Sequence, residues 1–223
     1  MTKLIKLMSS AIAIACLSMT PLMANEEAFA GPYIGVNAAV VGVEADASHN
    51  DNQGNVTTGT AGKVATIAGA ELGYAIPMGG MILDVGGTFF SGEAKLASKT
   101  DLASKSNSTE VKFQVNDMWT AYIAPTFVMS DTSSIYFKIG VVEAETSVSG
   151  DVTAPGDLEG ETFAIGTRTV LDSGLFVRSE AGLHDFDQIS VTGKGSSNGI
   201  TTSTKITADP TIAYGSISVG YKF

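Results

Sequence analysis

Hydrophobic residues recur at every second position in eight separate segments of the chain. These segments cover residues 33–43, 64–76, 81–89, 119–127, 135–141, 163–171, 175–183 and 211–223. In the first of them, Ile34, Val36, Ala38 and Val40 form the apolar row. Because successive side chains of a β-strand point to opposite faces, this period of two predicts eight strands, each with one apolar face.

The connections between the segments alternate between short and long. Short turns follow the second, fourth and sixth segments, at residues 77–80, 130–133 and 172–174. The other connections are long and rich in Ser, Thr, Gly and Asp: 44–63, 91–112, 143–161 and 185–207. Tight turns at one end and long polar loops at the other are typical of transmembrane β-barrels. A soluble β-sandwich, which is the alternative fold, does not require this asymmetry.

The strand face opposite the apolar one has charged residues in the middle of the segments. Three are acidic and three are basic: Glu71, Asp84, Lys138, Arg168, Arg178 and Glu180. In a sandwich these charges would face water, whereas in a closed barrel they point into the lumen. An eight-stranded lumen is only wide enough to be filled by side chains, so opposite charges there are expected to pair. We therefore predict an all-β fold, a transmembrane eight-stranded antiparallel up-and-down β-barrel, with these six residues as a lumen charge network.

The N-terminus has the features of a signal peptide. A basic and then apolar stretch over residues 3–17 is too short to span a bilayer as a permanent anchor. Small residues suited to cleavage follow at Ala24 and at Ala30. We predict that residues 1–24 are a signal peptide, with cleavage after Ala30 as the alternative, and that residues 25–223 form the barrel domain. Export by such a leader is consistent with a location in the cell outer membrane.

Composition and charge narrow the possible functions. Charged residues make up 16% of the chain, against about 25% in soluble domains, as expected if much of the surface faces lipid. The net charge of -10 argues against a nucleic-acid partner, which requires a basic face. The single cysteine, Cys16, lies in the predicted leader, so the mature chain offers no thiol for a disulfide, a zinc site or catalysis. We predict no cofactor and no metal site.

Two features leave other chemistry to be considered. The only histidines are His49, in a long connection, and His184, at the lumen side of the seventh strand. A lipid-modifying barrel would need a histidine beside a nucleophile or an acid near the lipid, and no Gly-x-Ser-x-Gly or His-Glu-x-x-His motif is present. We therefore predict no catalytic residues.

The segment 143–161 is acidic and lacks Lys and Arg, so it is either a solvated loop or a weak bridge for divalent cations.

The end of the chain resembles the C-terminal assembly signal of outer-membrane barrels. The signal has alternating apolar residues, an aromatic residue third from the end and a terminal Phe: here Ile217, Val219, Tyr221 and Phe223. Ser218 departs from the pattern, which often has Gly at that position. With Gly-Pro-Tyr-Ile-Gly-Val at 31–36 and Leu-Phe-Val-Arg-Ser-Glu at 175–180, the chain resembles the small OmpA-like or opacity-type barrels of Gram-negative bacteria, the porin family.

This resemblance has implications for partners and function. It implies transit with periplasmic chaperones, insertion by the barrel-insertion machinery, and contact of a monomer with outer-membrane lipid and lipopolysaccharide. It does not fix a function, because one fold serves many roles. We predict a non-enzymatic structural and surface-exposed protein with its loops outside the cell. The alternatives are a small porin-like channel for ions or small solutes and, less favoured, a lipid-modifying barrel enzyme.

Overall fold

The computed structural model of the chain describes residues 26–50, 56–99, 110–149, 153, 155–171, 173–193 and 205–223. The predicted signal peptide, with Cys16, lies outside the described residues. A 3-10 turn, Glu26–Ala28, precedes ten strands: β1 (Gly31–Asn50), β2 (Val56–Pro77), β3 (Ile82–Ser91), β4 (Ala94–Lys99), β5 (Glu110–Val128), β6 (Ser133–Ser149), β7 (Leu158–Val170), β8 (Leu175–Phe186), β9 (Ile189–Thr192) and β10 (Lys205–Lys222). Within the described part of the chain, no helix has the length and hydrophobicity to cross a membrane.

Eight of the strands form a closed antiparallel ring. Their order is β1–β2–β3–β5–β6–β7–β8–β10, and β10 pairs back onto β1 from Tyr33↔Lys222 to Asn50↔Lys205. The short strands β4 and β9 extend the wall by pairing with β5 and β10. Closure leaves the ring without an edge strand. The prediction of an eight-stranded antiparallel barrel is therefore confirmed, and the sandwich alternative is wrong.

The two ends of the barrel differ. The short connections between β2 and β3, between β5 and β6, and between β7 and β8 lie at one end, which also holds the start of β1 and Phe223; we call it the turn end. The β2–β3 turn contains Gly79 and Gly80, whose φ angles of 77° and 109° are rarely adopted by other residues. The longer connections lie at the opposite end, which we call the loop end.

Much of the chain predicted as long loops is strand, which corrects the sequence-based boundaries. β1 and β2 contain 20 and 22 residues, about twice the ~9–11 that cross a bilayer. Serine and threonine, which suggested loops, continue the ladder instead, and the hydroxyl groups of Ser48 and Thr207 are 2.7 Å apart across β1 and β10. His49, expected in a loop, is on β1 and pairs with Thr57 on β2.

The acidic segment 143–161 is also largely strand rather than loop. Glu143 and Glu145 lie on β6, whereas Glu159 and Glu161 lie on β7. Glu143 and Glu159 are directly paired in the β6–β7 ladder. Asp151, which belongs to the same predicted loop, lies outside the described residues.

The predicted apolar rows point outward from the barrel. Val36 is 67% exposed and Ile217 is 62% exposed, which is expected of side chains that face lipid. Phe127 is the exception, because it was placed on the outward row of its strand but is buried. It follows Pro125, where the β5–β6 pairing skips two residues, and its neighbours Thr126 and Val128 are buried as well. The register is the same on both sides of this gap, so Thr126 and Val128 are at inward positions as expected, and nothing in the ladder explains the burial of Phe127.

Candidate functional site

The six predicted charged residues lie inside the barrel. They are on the loop-end side of the side chains that fill its turn end. Each has at most 9% of its surface exposed. They come from five strands, so the closing of the ring brings them together. We refer to these six residues as the charge network: Glu71, Asp84, Lys138, Arg168, Arg178 and Glu180.

Arg178 on β8 occupies the centre of the charge network. Its Nη1 donates to Glu71 Oε2 at 3.0 Å and to the hydroxyl of Tyr122 at 3.3 Å. Its Nη2 is 3.9 Å from Asp84 Oδ2. The guanidinium also lies over the ring of Tyr136, 4.9 Å from its centre. Arg178 therefore joins two acids and two phenols on four other strands.

Arg168 is held mainly by charge and by aromatic rings. Its Nη1 is 3.6 Å from Asp84 Oδ1, and its guanidinium carbon lies 4.7 Å from the ring centre of Tyr33 and 4.5 Å from that of Phe176. Among the described residues, none of its three guanidinium nitrogens has a hydrogen-bond partner. Cation–π contacts of this kind gain strength when water is excluded. Asp84, in turn, accepts a hydrogen bond from Thr126 at 2.9 Å.

Lys138 and Glu180 form the second part of the charge network. Lys138 Nζ is 2.7 Å from Glu180 Oε1 and 2.6 Å from Oε2. Tyr136 and Tyr214 each donate to the same carboxylate at 2.7 Å. The lysine also lies 4.2 Å from the ring centre of Tyr122. Glu180 is thus satisfied by one cation and two phenols, and these contacts are short enough to be charge-assisted hydrogen bonds.

Sequence reasoning did not identify the tyrosines that complete the charge network. Tyr33, Tyr122, Tyr136 and Tyr214 are all buried, and the hydroxyl groups of Tyr33 and Tyr122 are 3.1 Å apart. When the six residues of the charge network and these four tyrosines are taken together, each of the eight ring strands contributes a polar side chain to the lumen. The available signal was parity, since each tyrosine alternates with an outward apolar row, as Tyr122 does between Ala121 and Ile123.

Glycines on neighbouring strands make room for the buried aromatic rings. A Cβ added to Gly182 would lie 2.6 Å from Tyr214, and one added to Gly86 would lie 2.8 Å from the Tyr122 hydroxyl. Gly166 is equally close to Tyr136, and Gly73 to Tyr33. The glycine-rich inner face therefore has a packing reason, because each tyrosine lies against a strand position that has no side chain.

The loop-end half of the lumen is apolar rather than charged. One packed cluster of inward side chains fills it: Ala39, Val41, Val43, Ile67, Phe90, Val115, Met118, Val142, Ala144, Leu158, Phe186, Ile212 and Tyr214. A cavity of about 20 Å³ remains beside Gly92 and Asn116, roughly the space of one water molecule. A β-bulge in β5 between Val115 and Met118 adjoins it. We call this cluster the loop-end apolar layer.

His184 lies between the charge network and the loop-end apolar layer. It is 1% exposed, and its ring stacks on Tyr214 with 4.5 Å between ring centres. Among the described residues, neither of its nitrogens has a hydrogen-bond partner. Within the residues that the structure describes, no group of three or more His, Cys, Asp and Glu residues is arranged to hold a metal ion. The side chain of His49 belongs to the undescribed positions.

The four residues of the predicted C-terminal signal form one row on the outer surface. Their exposed fractions are high, at 62% for Ile217, 50% for Val219, 42% for Tyr221 and 66% for Phe223. The rings of Tyr221 and Phe223 pack edge to face, with their centres 5.3 Å apart. The backbone N–H of Phe223 donates to the carbonyl oxygen of Pro32 on β1 at 3.0 Å. This hydrogen bond fixes the end of the β1–β10 pairing that closes the ring.

The chain is similar to several solved structures, among them those of OprG and Ail. The outer membrane protein OprG from Pseudomonas aeruginosa is 16% identical, with a TM-score of 0.55 over 87% of this chain and 97% of that chain. Ail, the attachment invasion locus protein of Yersinia pestis, is 12% identical, with a TM-score of 0.40 over 85% of this chain and 99% of that one. No curated protein matches the sequence. At 16% identity the likeness to OprG shows the fold alone.

The sequence itself matches a family model over nearly its whole length. The family is the outer membrane protein beta-barrel domain, and the match covers residues 9–223. In barrels of this kind the short turns are periplasmic and the longer loops are outside the cell. The chain therefore belongs to the outer membrane protein beta-barrel family and resides in the bacterial outer membrane.

Proposed function

We propose that the protein is a non-enzymatic structural and surface-exposed barrel whose lumen is closed to ions and solutes. The observation that supports this best is the arrangement of the charge network. Its three acids and three bases pair across the lumen. The loop-end apolar layer packs on one side of them, and a second apolar cluster fills the turn end on the other side. Water and ions would have to separate these pairs to pass. The parts of the strands that extend past the bilayer are then the surface presented outside the cell.

A small channel is the second candidate function, and one observation favours it. Asp84 is 3.6 Å from Arg168 and 3.9 Å from Arg178, which is longer than a hydrogen bond. This part of the charge network is therefore the easiest to rearrange. A lipid-modifying enzyme has less support, since His184 stacks on Tyr214 inside the lumen and does not face lipid.

The Arg178→Ala variant separates the closed barrel from the channel. Removing one partner of a buried ion pair typically costs about 3–5 kcal/mol, because the remaining charge is stranded. We expect the variant to unfold at lower urea concentration in lipid and to conduct cations through planar bilayers, whereas wild type shows no steady conductance. Lys63→Ala, which removes an exposed charge on β2, is the control and should change neither property. Large, steady wild-type conductance with no loss of stability in Arg178→Ala would establish the channel instead.

The proposed partners follow from the outer surface and the last strand. The exposed apolar rows are suited to outer-membrane lipid and lipopolysaccharide. The outward row that ends at Phe223 is suited to recognition by the barrel-insertion machinery, after periplasmic chaperones deliver the unfolded chain. Both proposals concern a monomer, because the ring is closed by its own first and last strands.

A further inference from the structure

The segment that precedes β1 folds back under the barrel. Its 3-10 turn is closed by the N–H groups of Phe29 and Ala30, which donate to Glu26 O at 3.0 and 3.2 Å. This turn directs the side chain of Phe29 into the opening at the turn end, where none of its surface remains exposed. A fully buried aromatic residue is unexpected in a segment that belongs to no strand, since such segments normally lie on the surface.

Phe29 closes the lumen together with inward side chains of the ring. It packs in one cluster with residues from six of the eight ring strands: Tyr33, Ala75, Ile82, Val128, Val170 and Phe176. Tyr33 and Phe176, whose rings meet edge to face at 5.8 Å, also flank the guanidinium of Arg168. The phenyl ring of Phe29 therefore belongs to the layer that separates Arg168 from the opening at the turn end.

Two polar contacts hold the segment, one to the β2–β3 turn and one to β10. The carboxylate of Glu26 accepts hydrogen bonds from the N–H groups of Gly79 and Gly80 in the β2–β3 turn. Successive N–H groups in a turn of this kind form a concave site for an anion. On β10, Lys222 Nζ donates to the carbonyl oxygen of Glu27 at 2.9 Å.

We propose that residues Glu26–Ala30 remain in the mature protein as a stopper that seals the periplasmic mouth of the lumen. Processing after Ala24 leaves this segment attached, whereas processing after Ala30 removes the buried ring and both polar contacts. Of the two candidate processing sites, only the Ala24–Asn25 bond leaves the stopper in place. The inference goes beyond the proposed function, because a periplasmic stopper can exist whether or not the charge network conducts.

The mass of the mature protein tests the processing site without any substitution. Wild-type protein extracted from outer membranes should have the intact mass of a chain that begins at Asn25. An N-terminus at Gly31, or at any residue after Glu26, would overturn the proposal. Replacing Ala24 with a bulky residue, as in Ala24→Leu, should shift or block processing, whereas Ala30→Leu should leave the mature mass unchanged except for the substitution itself.

Thiol labelling tests the seal. Cys16 is the only cysteine and precedes Asn25, so a cysteine introduced at Val170, in the cluster around Phe29, is the single thiol of the mature protein. With Phe29 present, we expect Val170→Cys to react with a charged maleimide at least about ten times more slowly than Met78→Cys on the exposed turn, because labelling requires local opening. Adding Phe29→Ala should remove most of this protection, and adding Phe29→Leu should retain it.

The controls separate this result from misfolding and from the proposed function. Met78→Cys should label at the same rate with and without Phe29→Ala, and heat-modifiable migration in SDS should show that each variant is folded. Equal labelling of Val170→Cys with and without Phe29 would disprove the stopper. The charge network is intact in Phe29→Ala. That variant should therefore remain non-conducting even when a cysteine at Val170 is labelled rapidly.

Discussion

The outer and inner faces of the same strands follow different rules. On β6, Ile139 and Val141 point outward and are 39% and 53% exposed, whereas Lys138 and Val142 point inward and are 5% and 2% exposed. The outer face meets hydrocarbon, a uniform solvent in which most apolar side chains are acceptable. The inner face meets other side chains, so each position depends on a specific partner. The difference indicates that substitutions inside the barrel should cost more than the same substitutions outside.

The inner face itself is divided into layers. Phe29 and its neighbours fill the turn end, the charge network follows, and the loop-end apolar layer lies beyond it. A polar side chain is tolerated in the narrow lumen only where partners from other strands converge, as they do around Arg178 and Glu180. Towards the loop end the Tyr214 hydroxyl, which donates to Glu180, is the last such partner among the cluster residues, and apolar packing follows.

The largest effect on the inner face is expected from Lys138→Met. This substitution leaves the buried carboxylate of Glu180 with two phenols and no cation. Stranding a buried charge typically costs about 3–5 kcal/mol, whereas replacing both partners of a pair is often nearly neutral. We therefore expect Lys138→Met to lower the free energy of unfolding strongly, and the double variant Lys138→Met/Glu180→Gln to recover at least half of the loss.

Urea unfolding in lipid vesicles measures this difference. Lys205→Met, at an exposed position on β10, is the matched control and should change the free energy of unfolding by about 0.5 kcal/mol or less. A double variant that is as unstable as the sum of its single substitutions would show that the pair is not coupled. The charge network would then be a set of independent polar contacts.

The contrast between faces also explains what the sequence could predict. Outward rows such as Ile34 to Val40 and inward charges such as Arg178 follow from period two alone, because lipid imposes one requirement on every outward position. The partner of Arg178 did not follow, since Glu71 lies 107 residues away and only the barrel register brings the two together. Same-face neighbours on one strand, Arg178 and Glu180, instead pair with residues on other strands.

The loop end was predicted least well, for a related reason. Polar segments such as 44–50 have the composition of loops, yet they continue β1 because β2 and β10 pair on both sides. Ladder hydrogen bonds and cross-strand hydroxyl contacts do not require hydrophobic periodicity. Phe29 was missed because it precedes any alternating segment, and only the closed ring creates the opening that it fills.

An intermediate effect, on assembly rather than on folded stability, is expected from deletion of Phe223. This residue is 66% exposed on the outer face and ends the row of Ile217, Val219 and Tyr221. Since few lumen contacts are lost, the folded barrel should be only slightly less stable. If the row is recognised by the insertion machinery, however, the yield in the outer membrane should fall several-fold and periplasmic degradation should rise.

Quantitative immunoblotting of outer-membrane and periplasmic fractions, at low expression, measures this effect. Phe223→Tyr keeps the terminal aromatic ring and should assemble like wild type. Leu171→Ala removes an exposed apolar side chain at the same end of the barrel but outside the last strand, so it should also assemble normally. Unchanged yield after deletion would count against recognition of this row.

The smallest and most direct test compares one substitution at two adjacent positions of β6. Val142→Ala removes two methyl groups from the loop-end apolar layer, and Val141→Ala removes the same groups from the lipid-facing surface. Both lose transfer free energy, about 0.8 kcal/mol for each carbon removed. Only Val142→Ala also leaves a cavity, which costs about 24 cal/mol per Å³ of void, whereas lipid chains fill the space beside Val141. We therefore expect Val142→Ala to be less stable than Val141→Ala by about 1 kcal/mol in urea unfolding. Equal losses of unfolding free energy would mean that the loop-end apolar layer relaxes as freely as lipid and is not a packed core.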